Sequence, residues 1–235
     1  MLASGYEKIF EICHRFRKGE RGRWHNPEFT MLEWYRLGAD YKDIINDMEQ
    51  LIAFIAPKLL PGNSIRYNGR DIDIGTPWPK IRVRDTFVNI AGWDPFDKFD
   101  PVRFDIDTVD KIIPSFNPAR PMVLMDYPPQ AAALARLSPD GTSAERAEVF
   151  IAGLELANIF SELNDTPQQR RRFEEAIDQI AREKGIKMTM PEKFLEAVSY
   201  LPDCGGAALG MDRLVMLLCG AASIDEVIPF TVDTA

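Results

Sequence analysis

The feature that most constrains this chain is the run IFEICHRFRKGERGRWHNPEFTMLEWY at residues 9–35. Residues 9–16 and 28–37 are rich in apolar and aromatic side chains and read as strands. Between them, residues 17–27 carry Arg17, Lys18, Arg21, Arg23 and His25 in a protein whose net charge is −8. Two strands joined by a cationic loop predict a hairpin whose tip suits a polyphosphate, because guanidinium engages phosphate oxygens bidentately. On the second strand, parity sets Phe29, Met31, Glu33 and Tyr35 on one side and Thr30, Leu32 and Trp34 on the other. A carboxylate among aromatics needs a cationic partner, since an unpaired buried charge is costly. The hairpin therefore offers an anion site and an amine site side by side.

At 235 residues the chain is most simply one domain with a full core, and 46% apolar with 27% charged residues is ordinary for a globular protein. The acidic balance argues against a broadly nucleic-acid-binding surface, so a phosphate site has to be a local basic patch. Cys13, Cys204 and Cys219 are odd in number and lack metal-ligand spacing, which predicts a reduced, cytoplasmic setting. No apolar run reaches membrane-spanning length and the start lacks a signal-peptide pattern, so no membrane partner is expected.

Asp40 is placed to cap a helix with Ile44, Met48, Leu51, Ile52 and Ile55 on one face, ended by Pro57 and Pro61-Gly62. Residues 63–120 are punctuated by Pro and Gly and read as an insertion packed on the sheet. That segment is expected to hold a strand near 66–74 and helices near 84–91 and 106–113. A buried strand at 122–127 stops at Pro128-Pro129, and residues 147–153 form an arm leading into the segment 155–165. A helix over 167–184 is predicted to face Phe173, Ile177 and Ile180 inward, with Pro167 in its first turn and Gly185 at its end. A shorter helix spans 192–200. A glycine-rich turn, 202–213, leads into an apolar helix at 214–219.

The stretch 9–35 resembles motif 2 of the class II aminoacyl-tRNA synthetases, in the form found in lysyl-tRNA synthetases and their paralogues. Phe16-Arg17 and residues 23–35 match the pattern F-R-x-E, loop, R-x-H-N-P-E-F-T-x-x-E-x-Y. The glycine-rich segment ending at Arg213 resembles motif 3. The resemblance implies an α+β fold, a mostly antiparallel sheet flanked by helices. It also implies that residues 1–235 are one catalytic domain, N-terminally incomplete, without motif 1 and a Pro-Glu segment of the family.

ATP and Mg²⁺ are the implied cofactors. Arg17 and Arg213 are the catalytic candidates, because a fixed guanidinium stabilises charge that builds on phosphate oxygens in the transition state. The ATP site takes in Arg17, Lys18, Gly19, His25, Asn26, Phe29, Glu155, Leu156, Gly210 and Arg213. Phe29 is expected to stack on adenine, and Gly205, Gly206 and Gly210 to let the backbone approach the ligand. Glu148 and Glu155 are the metal candidates, although an interval of seven on one strand sets them on opposite faces unless a bend intervenes. Glu33, Tyr35, Asn158, Phe160, Glu162 and Ala208 are assigned to the amino-acid pocket. Two carboxylates facing one ligand suit a substrate with two amines, such as lysine.

Within the family, motif 3 ordinarily reads G-x-G-x-D-R, whereas here Ala208 replaces its first glycine. The added methyl is expected to reshape the pocket near the substrate α-amine. That pattern resembles the elongation factor P lysine ligases, which activate lysine, preferably (R)-β-lysine, and pass it to a lysine side chain of that acidic protein. The implied partners are ATP, lysine or β-lysine and elongation factor P, with a homodimer as the family habit. The segment 15–23 is expected to help dock the acceptor, and direct tRNA binding is not expected. Two departures stand out: Gly19 occupies the place of the F-R-x-E glutamate, with Glu20 one position late, and Ile159 replaces a glycine and is expected to crowd the pocket floor. The alternatives are a non-catalytic paralogue that binds a nucleotide or partner and a lysyl-tRNA synthetase fragment.

Overall fold

A computed structural model describes residues 1–60, 62 and 64–231. Its first two strands, β1 (Lys8–Phe16) and β2 (Glu28–Leu37), form the expected hairpin, with Phe16 opposite Glu28 closing the loop. The remaining strands are β3 (Ser64–Tyr67), β4 (Arg70–Asp73), β5 (Lys80–Arg82), β6 (Met122–Tyr127), β7 (Ala144–Ile151), β8 (Leu154–Ser161) and β9 (Cys204–Gly210). Seven of them make one sheet in the order β1-β2-β9-β8-β7-β6-β5, antiparallel except for β5 on β6. Strands β3 and β4 pair separately. The fold is α+β.

The two faces of the sheet are covered differently. On one lies α1 (Tyr41–Leu59), whose Ile44, Ile45, Met48, Ile52 and Ala56 are buried with Leu209, Ile159 and Val149 of the sheet. Asp40 caps this helix by accepting from the backbone N–H groups of Lys42 and Asp43, while Asp43 reciprocates on the Asp40 N–H. Pro57 does not end it. Only the proline's own missing N–H is forfeited, and the Leu60 N–H still closes on the Ala56 carbonyl at 2.8 Å. A second helix, α7 (Met211–Cys219), shares this layer through Leu214, Met216 and Leu217.

On the opposite face, over β6 and β7, sits a second core built from residues 83–116. Short helices α2 (Val83–Thr86), α3 (Pro101–Asp107) and α4 (Ile113–Ser115), joined by π-helical turns, bring Phe87, Phe104 and Phe116 against Leu124, Tyr127 and Phe150. The Phe87 and Phe104 rings stack at 4.6 Å. This middle segment also supplies strand β5 to the main sheet. Among the described residues the other half of that face, over β1, β2, β9 and β8, carries no helix and opens as the cavity described below.

The helices α5 (Thr166–Lys184) and α6 (Glu192–Val198) pack on one another through Phe173 and Phe194. Phe173, Ile177 and Ile180 are only half-buried, so the inward face expected of α5 is a flank. Polar contacts tie that flank down: Arg172 donates to the carbonyls of Ala133 and Ala135. Among the described residues no helix is long and apolar enough to cross a membrane.

Candidate active site

The sheet register decides which side chains reach the open face. Glu33 lies opposite Ala208, Met31 opposite Gly210 and Tyr35 opposite Gly206, and Ala208 and Gly206 in turn oppose Asn158 and Phe160. Period-two alternation sends all of these to one side, while Leu32, Trp34, Ala207, Leu209 and Ile159 go to the α1 core. The result is a cavity of about 730 Å³. Its lining includes Arg17, Gly19, His25, Asn26, Phe29, Glu33, Glu155, Leu156, Asn158, Phe160, Ala208, Gly210 and Arg213. Among the expected site residues Lys18, Tyr35, Glu148 and Glu162 are not in that lining.

Two sequence expectations are corrected here. Ile159 does not crowd the pocket floor: it is fully buried in the opposite core, one register step from Asn158. Nor do Gly205, Gly206 and Gly210 form a turn, since they are residues of strand β9. The first two are glycines because both faces of the strand are approached closely. A Cβ on Gly205 would lie 2.6 Å from Ile44, and one on Gly206 2.5 Å from the Tyr35 ring and 2.8 Å from the Glu162 carboxylate. At Gly210 a Cβ would meet nothing nearer than 3.7 Å, so that position keeps open space beside Arg213.

At the cationic end, Arg213 in the first turn of α7 is held from three sides. It donates to the carbonyl of Glu155 at 2.6 Å, to the carbonyl of Trp24 at 3.3 Å and to His25 Nε2 at 2.8 Å. Burial and the neighbouring Arg213 guanidinium push the His25 imidazole below its ordinary value, in keeping with a neutral ring that accepts this bond. Arg17 pairs with Glu20 at 3.3 Å and lies over the Phe29 ring at 5.4 Å. Gly19, at φ 83°, turns the loop so that the late carboxylate of Glu20 reaches Arg17. Asn26 donates to the Glu28 carbonyl, and Asp212 accepts from the Thr30 N–H at 2.7 Å, which ties α7 to β2. Sequence reasoning passed over Asp212 although it belongs to the same G-x-D-R segment.

Not all of the loop's charge is available to a partner. Arg23 donates to the Ala222 carbonyl at 2.7 Å and Arg15 pairs with Glu33, so the expected docking segment is largely committed within the chain.

Glu148 and Glu155 sit on the two arms of the β7–β8 hairpin. Ala152 and Gly153 (φ 53° and 80°) make the turn that brings the arms back on each other, and the ladder slips between Val149 and Phe150. Burial, and then the Glu155 carboxylate, push the Glu148 carboxyl above its usual range. Arg146 offsets this by donating to Glu148 at 2.5 Å, to Asn158 Oδ1 at 3.3 Å and to the Ala131 carbonyl at 2.7 Å, while lying 4.5 Å from the Tyr127 ring centroid. Sequence reasoning missed Arg146; its parity with Glu148 on one strand was the available signal.

The acidic end is built from Glu33, Tyr35 and Glu162 around Gly206. Burial first, and the Glu33 carboxylate second, push Glu162 up to about 8. Burial together with Glu162 and Glu33 also raises the Tyr35 phenol, and burial with Glu162 raises Cys204 to about 12. Among the described residues no cation pairs with the Glu162 carboxylate.

The family model for class II tRNA synthetases of the D, K and N type matches residues 1–234. A lysine–tRNA ligase of Dehalococcoides mccartyi is 35% identical over 98% of this chain and 51% of its own length. One from Pelotomaculum thermopropionicum is 36% identical over 98% of the chain and 50% of its length. An elongation factor P–(R)-β-lysine ligase of Klebsiella pneumoniae is 38% identical over the whole chain and 74% of its length. The chain thus spans about half the length of the lysine–tRNA ligases it matches and about three quarters of the elongation factor P ligase. With the hairpin, the sheet register and the family match in agreement, the chain belongs to the class II tRNA synthetases of the D, K and N type.

Proposed function

We propose that this chain carries the site of an ATP-dependent, AMP-forming ligase that activates lysine or (R)-β-lysine and transfers it to a lysine side chain of elongation factor P. One observation carries the reading. A single cavity has cations at one end (Arg17, Arg213) and Glu33, paired with Arg15, at the other, with the half-buried Glu162 carboxylate near Glu33 but outside the lining. The first end suits a triphosphate; the second suits an ammonium, which would relieve two neighbouring carboxylates at once.

In this scheme a substrate carboxylate oxygen attacks the α-phosphate of ATP, forming the mixed anhydride and expelling pyrophosphate. An acceptor amine nitrogen then attacks the acyl carbon and AMP leaves with the bonding electrons. Arg17 neutralises charge growing on the α-phosphate, and Arg213 holds the departing end of the triphosphate. Phe29 offers its ring to the base, and His25 stays neutral beside Arg213. Class II ligases use Mg²⁺, and the donor set fits: Glu155 lines the cavity, and its repulsion with Glu148 is the kind that a divalent cation relieves. When bound, the ion would neutralise phosphate charge, with Glu155 as the nearer ligand and Glu148, already shared with Arg146, behind it.

The choice between amino acids turns on Ala208. Its methyl shares a face with Glu33 and Asn158, where a glycine would leave room for an α-amine. This supports (R)-β-lysine over the α isomer. The relatives named lysine–tRNA ligases, at 35% and 36% identity, support a second reading in which the acceptor is a tRNA hydroxyl. A reducing cytoplasm fits the three free cysteines, and a homodimer accompanies the family reading.

The test is amino-acid-dependent ATP–pyrophosphate exchange with (R)-β-lysine, L-α-lysine and no amino acid. Exchange with β-lysine well above α-lysine is the expected result. Stronger exchange with α-lysine moves the chain to the tRNA ligase reading, and none with either leaves a non-catalytic paralogue.

A further inference from the structure

Glu33, the carboxylate assigned to the substrate amine, already has a cation. The Arg15 guanidinium, projecting from β1 on the same face, forms an ion pair with it, and the same Nη2 atom lies 3.5 Å from Glu11. The register explains the grouping. Glu11 and Glu33 are directly opposed across the hairpin, so two like charges face each other with Arg15 between them. The three carboxylates differ in how exposed they are. The Glu11 side chain is 64% exposed and that of Glu33 19%, and Glu162 is likewise half-buried. Arg15 itself is 39% exposed and lines the cavity, so its head group has room to move along the edge strand.

We infer that Arg15 is an internal competitor for the substrate ammonium, holding Glu33 in the empty pocket and moving to Glu11 when an amine arrives. Resting on the reading of Glu33 and Glu162 as an ammonium seat, the inference adds a residue that sets how strongly the seat is filled. Two positions for one guanidinium are provided by the chain: the Glu33 carboxylate inside the cavity mouth and the Glu11 carboxylate outside it. While Arg15 is on Glu33, only Glu162 is left for a ligand cation. A monoamine can use that one carboxylate, whereas a ligand whose binding energy depends on both must displace the arginine. The apparent affinity is then the intrinsic one multiplied by the fraction of molecules in which Arg15 has withdrawn. A purely structural arginine, present to quiet the Glu11–Glu33 repulsion, would instead leave affinity unchanged or lower it when removed.

The probe is 1,5-diaminopentane, which carries ammonium groups but cannot be activated, so binding is read without turnover. Its affinity is measured by calorimetry on the whole chain as wild type, Arg15→Gln, Glu11→Gln and the Arg15→Gln/Glu33→Gln double variant. Arg15→Gln is expected to bind about fivefold or more tighter than wild type, because the withdrawn fraction becomes unity. Glu11→Gln, lacking the outer landing carboxylate, is expected to bind more weakly than wild type, and the double variant to lose the gain. Arg15→Lys separates charge from packing: a retained cation keeps affinity near wild type. Equal or weaker binding by Arg15→Gln overturns the inference and leaves the ammonium seat standing. Failure of the diamine to bind any variant overturns the seat and the inference together.

Discussion

Two arginine–glutamate pairs occupy the same face of one sheet, one on each of its long hairpins, and they are built to opposite ends. Arg146 is pinned. Besides Glu148 it reaches Asn158 and the Ala131 carbonyl and lies near the Tyr127 and Phe160 rings, so all three of its nitrogens have a partner. Arg15, on the edge strand, has two carboxylates and open space. The first arrangement fixes a carboxylate and an amide in a low-dielectric interior, where leaving either unpaired is costly. The second leaves a cation free to be exchanged. Position in the sheet is the cause, since β7 is flanked on both sides and β1 on one.

The sharpest way to break the comparison is to remove each arginine and measure stability. Arg146→Ala strands Glu148 as a buried charge, and truncating one partner of such a pair costs about 3–5 kcal/mol. The urea midpoint should fall accordingly. Replacing both members, as Arg146→Met with Glu148→Leu, should recover most of that loss, because two apolar groups of similar volume need no partner. A single substitution at Arg146 that left the midpoint unchanged would mean that Glu148 finds another cation or simply takes up a proton.

Arg213 resembles Arg146 in being held from three sides, but it points into the cavity rather than into the core. Arg213→Ala should therefore leave the urea midpoint within about 1 kcal/mol while lowering pyrophosphate exchange by about 10²–10³-fold, the range for removing one preorganised donor to a developing charge. Equal losses in both measurements would make it a structural arginine like Arg146.

Much of this was open to reading from the chain itself. The loop 17–27, the two flanking strands and the parity of Phe29, Met31, Glu33 and Tyr35 follow from short-range pattern, and the hairpin has that register. What stayed hidden is whatever depends on a strand's neighbours. Gly205 and Gly206 look like a turn in sequence; pairing with β2 and β8 makes them strand residues, and the approach of Ile44 and Tyr35 is what requires glycine there. Ile159 looks like an obstruction until the parity of β8 is fixed by its pairing with β9. Arg15 belongs by sequence to the segment expected to dock the acceptor, yet strand pairing turns it toward Glu33 instead. The half-buried face of α5 carries apolar spacing with no core opposite it, which periodicity cannot distinguish from a buried helix.

Glu162 provides a pH-dependent measure of the unpaired end. Burial and Glu33 raise its carboxyl from the ordinary range to about 8, so at neutral pH the empty pocket holds a proton there. In the unfolded chain that proton is lost near the ordinary carboxylate value, so ionising Glu162 weighs against the folded state and stability should decline as pH rises toward about 8. An ammonium ligand favours the ionised form. Amine binding at pH 7 should therefore release a proton, and affinity should rise with pH until about 8 and then level. Calorimetry in buffers of different ionisation enthalpy reads the proton directly. Glu162→Gln should abolish both the release and the pH dependence, and a release that survived the substitution would assign it elsewhere.

The smallest expected effect returns to the edge strand. Arg15→Gln removes an ion pair whose arginine is more than one-third exposed, and solvent screening holds such pairs to under about 1 kcal/mol. Its urea midpoint should scarcely move. The Glu11–Glu33 repulsion that Arg15 masks works in the same direction, but Glu11 faces water and can turn away, so it adds little. That near-silence in stability, set against several kilocalories for Arg146, is what a movable cation requires. A guanidinium that contributed strongly to the fold could not also be displaced by a ligand binding with ordinary affinity. A loss at Arg15 approaching that at Arg146 would show the two pairs to be alike and the edge-strand arginine to be fixed.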